Sequence, residues 1–302
     1  MSVHAEQPEI SSFVASMTDR IGRHGAAYAD EVRALLATAR RGRGPDAETG
    51  LLDEFNLHIE GILAKYDPPS SRRRGDSLVF RHLYGLLAGP RPPSHRPGHT
   101  TEATAHAAAD DGTPTRALLA LMAADVEFRG PLRLSRTQRT LLADVYEELG
   151  PLLRRAGLPA HAALAWSRAM NLHRDNEDDD AEDRCGLAKA RAETAALWPA
   201  RKRVGRWISA ATCGYGYRPF RLLLWMVAQL ALFSVAITLV TSISVGDAIH
   251  LCLTNYLDPA GLDDVPGGDD AATKPLLVTE AYAGIVSTSV FFALLVRRWF
   301  RI

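Results

Sequence analysis

The acidic side chains between two apolar runs near the C-terminus are the residues of this sequence best suited to chemistry. The runs cover residues 222–244 and 275–296, and the loop between them carries Asp258, Asp263 and Asp264 against a single lysine. Carboxylates arranged in a ring around an axis attract cations. The loop therefore predicts cation attraction, and the plain alternative is a solvated turn outside the membrane.

No arrangement of residues points to catalysis. The sequence lacks a glycine-rich phosphate loop, a His-Glu-x-x-His pair and a nucleophile elbow. Its cysteines, Cys185, Cys213 and Cys252, are widely spaced and match neither a disulfide framework nor a zinc motif. The formal net charge is zero, which gives no reason to expect nucleic acid as a partner. We therefore predict a protein that is not an enzyme and has no catalytic residue, cofactor or metal ligand.

Both apolar runs predict transmembrane helices. The first contains no charged side chain, and the second contains one, Glu280, within about two turns of its outer end. A helix of about 22 residues reaches roughly 33 Å, enough to cross a hydrocarbon core of about 30 Å. A charge at mid-membrane is costly, so we expect Glu280 to reach water or a protein partner at the outer end.

The charges that flank the two runs predict their orientation. Basic residues precede the first run and follow the second, whereas the intervening loop is acidic. Because basic flanks stay in the cytoplasm, we expect a multi-pass protein of the cell membrane with both termini cytoplasmic and the lipid bilayer as a partner. The basic flanks are Arg201, Lys202, Arg203, Arg206, Arg218, Arg221, Arg297, Arg298 and Arg301.

The loop between the runs is longer than a hairpin needs, and it begins with a short apolar segment. Residues 246–257 are apolar at Ile249, Leu251, Leu253 and Tyr256. A helix of about 11 residues spans roughly 16 Å, which is too short to cross a membrane. We therefore predict a re-entrant helix at 246–257, followed by an irregular segment rich in proline, glycine and aspartate.

The order of span, re-entrant helix, irregular segment and span resembles the pore module of the bacterial two-transmembrane potassium-channel-like family of ion channels. Residues 213–221 (CGYGYRPFR) resemble the segment before the first span in a bacterial subgroup, and residues 265–266 resemble the Val-Pro after the filter. Residues 280–298 resemble its inner helix, with Gly284 near the hinge position. The resemblance covers roughly residues 213–302 and implies a homotetramer.

The resemblance breaks down at the selectivity filter. Potassium filters use a Thr-x-Gly-Tyr-Gly strand whose carbonyls replace the hydration shell of the ion. Here an aspartate replaces the threonine, and a proline follows it and restricts the backbone. The resemblance therefore implies a non-selective or weakly cation-selective pore, or else a degenerate module that anchors and oligomerises without conducting. The filter-equivalent residues are Asp258, Pro259, Ala260, Gly261, Leu262 and Asp263.

The residues before the apolar runs predict a helical region in the cytosol. Apolar residues recur at helical spacing in residues 1–88 and again in residues 115–198. A stretch rich in proline and histidine at residues 89–114 predicts a linker between them. Residues 199–221 are basic with Trp207, and they predict a helix that lies on the inner leaflet.

Residues 143–176 resemble a single tetratricopeptide hairpin, because Tyr146, Gly150 and Trp166 have the spacing of that repeat. No clear second copy follows, and the plain alternative is an ordinary helical hairpin. A hairpin that binds a cytosolic protein gives the alternative function, a non-conducting membrane-anchored adaptor or sensor. The predicted fold class is all-α, a cytosolic helical region followed by a two-transmembrane pore-like module at residues 222–302.

Overall fold

A computed structural model gives the fold of the chain in two compact units, Met1–Val204 and Gly205–Ile302. Every regular element within the described residues is helical, so the predicted all-α class is confirmed. The structure describes residues 6–39, 46–67, 77–85, 113–197, 200–241, 243–257 and 273–300.

The first unit contains α-helices α1 to α7 within these ranges. A short 3₁₀ turn, Ala200–Lys202, follows them, and helix α8, Arg203–Cys213, begins at the boundary with the second unit. The seven helices are α1 (Glu6–Ala39), α2 (Asp46–Leu63), α3 (Arg81–Tyr84), α4 (Thr113–Arg129), α5 (Arg136–Arg155), α6 (Pro159–Asp175) and α7 (Asp179–Ala196).

One apolar core joins the helices on both sides of the predicted linker. Helix α1 packs on α2 and α4, and α4 packs on α5. Their fully buried side chains include Ile21, Phe55, Leu121 and Tyr146. Each such side chain contributes about 1.5–3 kcal/mol by leaving water. The regions predicted separately at residues 1–88 and 115–198 therefore share one core, while most of the predicted linker lies outside the described residues.

Helices α5, α6 and α7 pack in chain order. Helix α5 begins at a capping box, in which the Gln138 backbone N–H donates to Ser135 Oγ at 3.1 Å and the Ser135 N–H donates to the Gln138 side chain at 3.0 Å. At the α5–α6 contact, Gly150 lies directly against the Trp166 indole. Residues that carry the tetratricopeptide resemblance thus meet at this contact, and the resemblance itself stays a prediction.

Substitution of Gly150 by alanine tests how closely α5 and α6 approach. A Cβ atom at this position would overlap the Trp166 indole, so we expect the free energy of unfolding to fall by about 1–2 kcal/mol. Thermal unfolding of the full-length protein in detergent measures the change. Gly22→Ala is the matched control, because a Cβ atom there meets nothing within 4 Å and alanine favours the helix. Equal midpoints for Gly150→Ala and the unmodified protein would contradict the close approach.

The second unit contains two helices that are long and apolar enough to cross a membrane. Helix α9 (Pro219–Thr241) and helix α11 (Thr273–Phe300) hold apolar stretches of 22 and 24 residues. Both lie close to the predicted spans. Only 11% and 17% of their most apolar windows is buried, which is compatible with helices that face lipid and unlike a buried helix of a soluble protein.

A turn formed by Gly214, Tyr215 and Gly216 precedes helix α9. Gly214, Tyr215 and Gly216 have φ angles of 57°, 59° and 86°. Glycine adopts such angles without steric cost, whereas a tyrosine does so rarely. The Tyr215 backbone N–H donates to the Ser209 carbonyl at 3.2 Å, which ties the turn to the preceding helix. The Trp225 indole N–H donates to the Ala211 carbonyl at 2.8 Å and ties α9 back to α8.

Candidate functional site

The described part of the second unit contains two of the predicted site residues, Glu280 and Gly284, both on helix α11. The six filter-equivalent residues lie outside the described residues, so the structure gives no account of Asp258, Pro259, Ala260, Gly261, Leu262 or Asp263.

A short helix, α10 (Val245–Leu257), lies between the two long helices in the chain and packs against both. Its start is fixed by Ser244, whose Oγ accepts from the Asp247 backbone N–H at 3.2 Å and donates to the Asp247 carboxylate at 2.7 Å. Its buried face consists of Ala248, Cys252 and Asn255. The helix is therefore capped at its beginning and packed on one side against the two span-length helices.

A buried polar contact ties α10 to α11. The Asn255 side-chain amide donates to the Leu277 carbonyl at 2.8 Å and to Glu280 Oε2 at 3.0 Å. Asn255 and Glu280 are both fully buried. Sequence reasoning expected Glu280 to reach water or a protein partner, whereas in the structure another helix of the same chain covers and binds it. Its position near the end of a span was visible in the sequence, but its partner was not.

Two oxygen atoms of this contact lack a hydrogen-bond donor among the described residues. They are Asn255 Oδ1 and Glu280 Oε1. Buried polar atoms are normally paired, and polar side chains inside apolar helical units commonly mark functional positions. Sequence reasoning did not single out Asn255, although an amide on the buried side of a short apolar helix was the available signal.

Gly284 allows α10 and α11 to approach closely. A Cβ atom at this position would lie 2.9 Å from Tyr256 Cδ2, closer than side chains tolerate. Helix α11 continues without a break through Gly284, so its lack of a side chain makes room for the Tyr256 ring. The hinge role of Gly284 stays a prediction. The Ser287 hydroxyl donates to Gln229 Oε1 at 3.1 Å, which joins α11 to α9.

Side chains that can bind a metal ion come together elsewhere, in the first unit. Glu147, His173 and Cys185 each offer a ligand atom, and these atoms lie within 4.8 Å of one another. Sequence reasoning found no metal site, because the three residues lie on three different helices and their spacing matches no known motif.

Comparison with protein-family models, with curated proteins and with solved structures finds no match to this chain. The geometry of the second unit is therefore the basis for assigning a function. It combines two span-length helices, a short helix packed against both, and a buried acid–amide contact at their junction.

Proposed function

We propose that the protein is a channel-like membrane protein whose C-terminal helices form a non-selective or weakly cation-selective pore in a homotetramer. The observation that carries this proposal is the position of α10, which packs against both span-length helices and is bound to α11 through Asn255 and Glu280. Its 13 residues reach about 20 Å, less than a hydrocarbon core of about 30 Å. A helix of this length between two spans is re-entrant in the proposed topology, with both chain termini in the cytoplasm.

The charge at the end of α10 supports cation binding. The C-terminus of a helix carries a partial negative charge, and an acid placed there is unfavourable without a nearby cation. The residue that follows α10 is Asp258, and Asp263 comes soon afterwards. In a homotetramer these carboxylates and helix ends recur four times around the axis, which would attract cations and repel anions.

An apolar stripe on α10 supports the assembly of several copies. Val245, Ile249, Leu253 and Leu257 lie four residues apart on one face, and each is exposed in the single chain. Contact with a neighbouring copy or with lipid would cover this face. The long helices likewise leave most of their apolar surface uncovered.

Ion flux from liposomes that contain the full-length protein tests the proposal. We expect potassium and sodium to pass and chloride to be retained. Asp258→Asn should lower cation flux by about fivefold or more, because it removes one carboxylate from each copy and a single near charge contributes about 1 kcal/mol even in water. Asp53→Asn, an exposed acid on α2, is the matched control and should leave the flux unchanged. Absence of cation flux with the unmodified protein would contradict the pore.

A groove in the first unit favours a second candidate function, that of a non-conducting membrane-anchored adaptor or sensor. The groove has a volume of about 900 Å³ and lies between α1 and residues 77–82, with Val14, Ala15, Leu78 and Val79 in its lining. Its partly apolar walls would suit a short segment of a partner protein. This candidate predicts no flux in the liposome experiment, so that measurement separates it from the pore.

A further inference from the structure

Three side chains of metal-binding type meet where α5, α6 and α7 pack together. Glu147 lies on α5, His173 on α6 and Cys185 on α7. His173 Nε2 is 2.7 Å from Glu147 Oε1, and Cys185 Sγ lies within 4.8 Å of the ligand atoms of both residues. His173 and Cys185 are buried, whereas Glu147 is partly exposed. The cluster is thus closed on the inside and open to solvent along the carboxylate.

The cluster contains more than a hydrogen-bonded pair requires. The contact between His173 and Glu147 would be complete without a third residue. Cys185 adds a buried sulfur, and burial, reinforced by the charge of Glu147, raises the pKa of its thiol to about 12. The sulfur, nitrogen and oxygen atoms are nevertheless all within 4.8 Å of one another.

We propose that Glu147, His173 and Cys185 bind a divalent transition metal ion, with Zn²⁺ the best fit to their donor atoms. Zinc takes thiolate, imidazole and carboxylate ligands at about 2.0–2.3 Å in a tetrahedral arrangement. Neighbouring ligand atoms around such an ion lie roughly 3.3–3.8 Å apart. Side-chain rotation would therefore have to widen the 2.7 Å contact between His173 and Glu147 and bring any longer separation within the cluster below its present limit of 4.8 Å. On binding, a metal–sulfur bond replaces the S–H bond of Cys185, and a metal–nitrogen bond replaces the Nε2–H bond that His173 directs at Glu147. Both protons leave to solvent past the exposed edge of Glu147, and the ring is then neutral with its single proton on Nδ1. Thiolate, carboxylate and neutral imidazole then balance the double charge of the ion, so no net charge is buried.

The surroundings of His173 fit such a site. Asp178 Oδ2 lies 4.0 Å from His173 Nδ1, the ring nitrogen that faces away from the cluster. A carboxylate at the second nitrogen of a metal-binding histidine is a common arrangement that fixes the ring and raises its basicity. Asp144 lies one turn before Glu147, and its carboxylate also interacts with Glu147 and His173. A water molecule would fill the fourth position.

Cobalt binding tests this site. The full-length protein in detergent is first treated with a chelator to remove any bound metal, and Co²⁺ is then added. We expect one Co²⁺ per chain, with the visible bands of tetrahedral cobalt and a thiolate-to-cobalt charge-transfer band, and we expect Zn²⁺ to displace it. Cys185→Ser should abolish the charge-transfer band. Cys213→Ser and Cys252→Ser are matched controls that change one buried thiol each and should retain it.

Two further variants keep the test decisive if Cys185→Ser misfolds. Asp178 accepts from the Ala181 N–H at 3.1 Å at the start of α7, and asparagine is also a good N-cap, so Asp178→Asn should not disturb that helix. This variant should weaken cobalt binding by about 10- to 100-fold. Glu147→Gln should weaken cobalt binding at least as much. A charge-transfer band that survives Cys185→Ser, or no stoichiometric binding by the unmodified protein, would overturn the proposal. The site is independent of the proposed pore, so absence of ion flux has no bearing on it.

Discussion

Replacement of Glu48 by alanine is expected to destabilise the first unit by about 3–5 kcal/mol, because three buried nitrogen atoms lose the carboxylate that they contact. Glu48 is almost completely buried on α2. Its Oε1 accepts from the backbone N–H groups of Ala160 and His161 at 2.8 and 3.2 Å and contacts His161 Nδ1 at 2.9 Å. No side chain of the residue preceding α6 caps that helix, so Glu48 performs this task from another helix.

His161 also has a partner on the side of its ring that faces away from Glu48, so removal of Glu48 disturbs a larger network of contacts. The Tyr28 hydroxyl donates to the Leu51 carbonyl at 2.9 Å, and burial raises the pKa of that hydroxyl, so its proton stays in place. The Tyr28 oxygen contacts His161 Nε2 at 2.5 Å, while His161 Nδ1 faces Glu48. Without Glu48, this buried ring nitrogen and two backbone N–H groups lose their partner.

Chemical unfolding of the full-length protein, followed by circular dichroism, measures this effect. Glu54→Ala changes an exposed acid on the same helix and should alter stability by no more than about 0.5 kcal/mol. Glu48→Gln retains a neutral acceptor and should fall between the two. If Glu48→Ala and Glu54→Ala unfold at the same denaturant concentration, the network around His161 does not stabilise the unit as the contacts indicate.

The span-length helices and the short helix were predictable because local composition determines them. A helix in lipid exposes apolar side chains on every face. An uninterrupted apolar run such as residues 222–244 can therefore be recognised as a candidate span from the sequence alone. The short helix was predicted at residues 246–257 and is found at Val245–Leu257, since Asp247 and the polar end of the segment mark its limits. Both signals lie within a few residues of the structure that they predict.

The contacts between helices within each unit could not be predicted, because their partners are far apart in the sequence. Glu48 caps a helix 112 residues away, and Asn255 binds Glu280 across 25 residues. The sequence shows that Glu280 is an acid near a helix end, but the rotation of α11 relative to α10 decides whether it faces water. The filter-equivalent residues stay a prediction, because they lie outside the described part of the chain.

Replacement of Gly284 by leucine is expected to separate α10 from α11 and to abolish cation flux. Even a single added carbon would lie 2.9 and 3.0 Å from the Tyr256 ring, and leucine adds three more. We expect the free energy of unfolding, measured in a denaturing detergent, to fall by about 3 kcal/mol or more. This is the upper end of what overpacking produces. Gly246→Ala is the matched control in the same unit, because no atom lies closer than 3.9 Å to its Cβ position.

A double-mutant cycle between Gly284→Ala and Tyr256→Leu shows whether the close approach is the cause. The Tyr256 hydroxyl is buried and has no hydrogen-bond partner among the described residues, so leucine loses no hydrogen bond seen there. Gly284→Ala should be destabilising by about 1–3 kcal/mol beside Tyr256 and nearly neutral beside leucine. Additive losses would show that the ring does not limit the space at residue 284. Full cation flux through a destabilised Gly284→Leu protein would show that the α10–α11 packing does not position the pore.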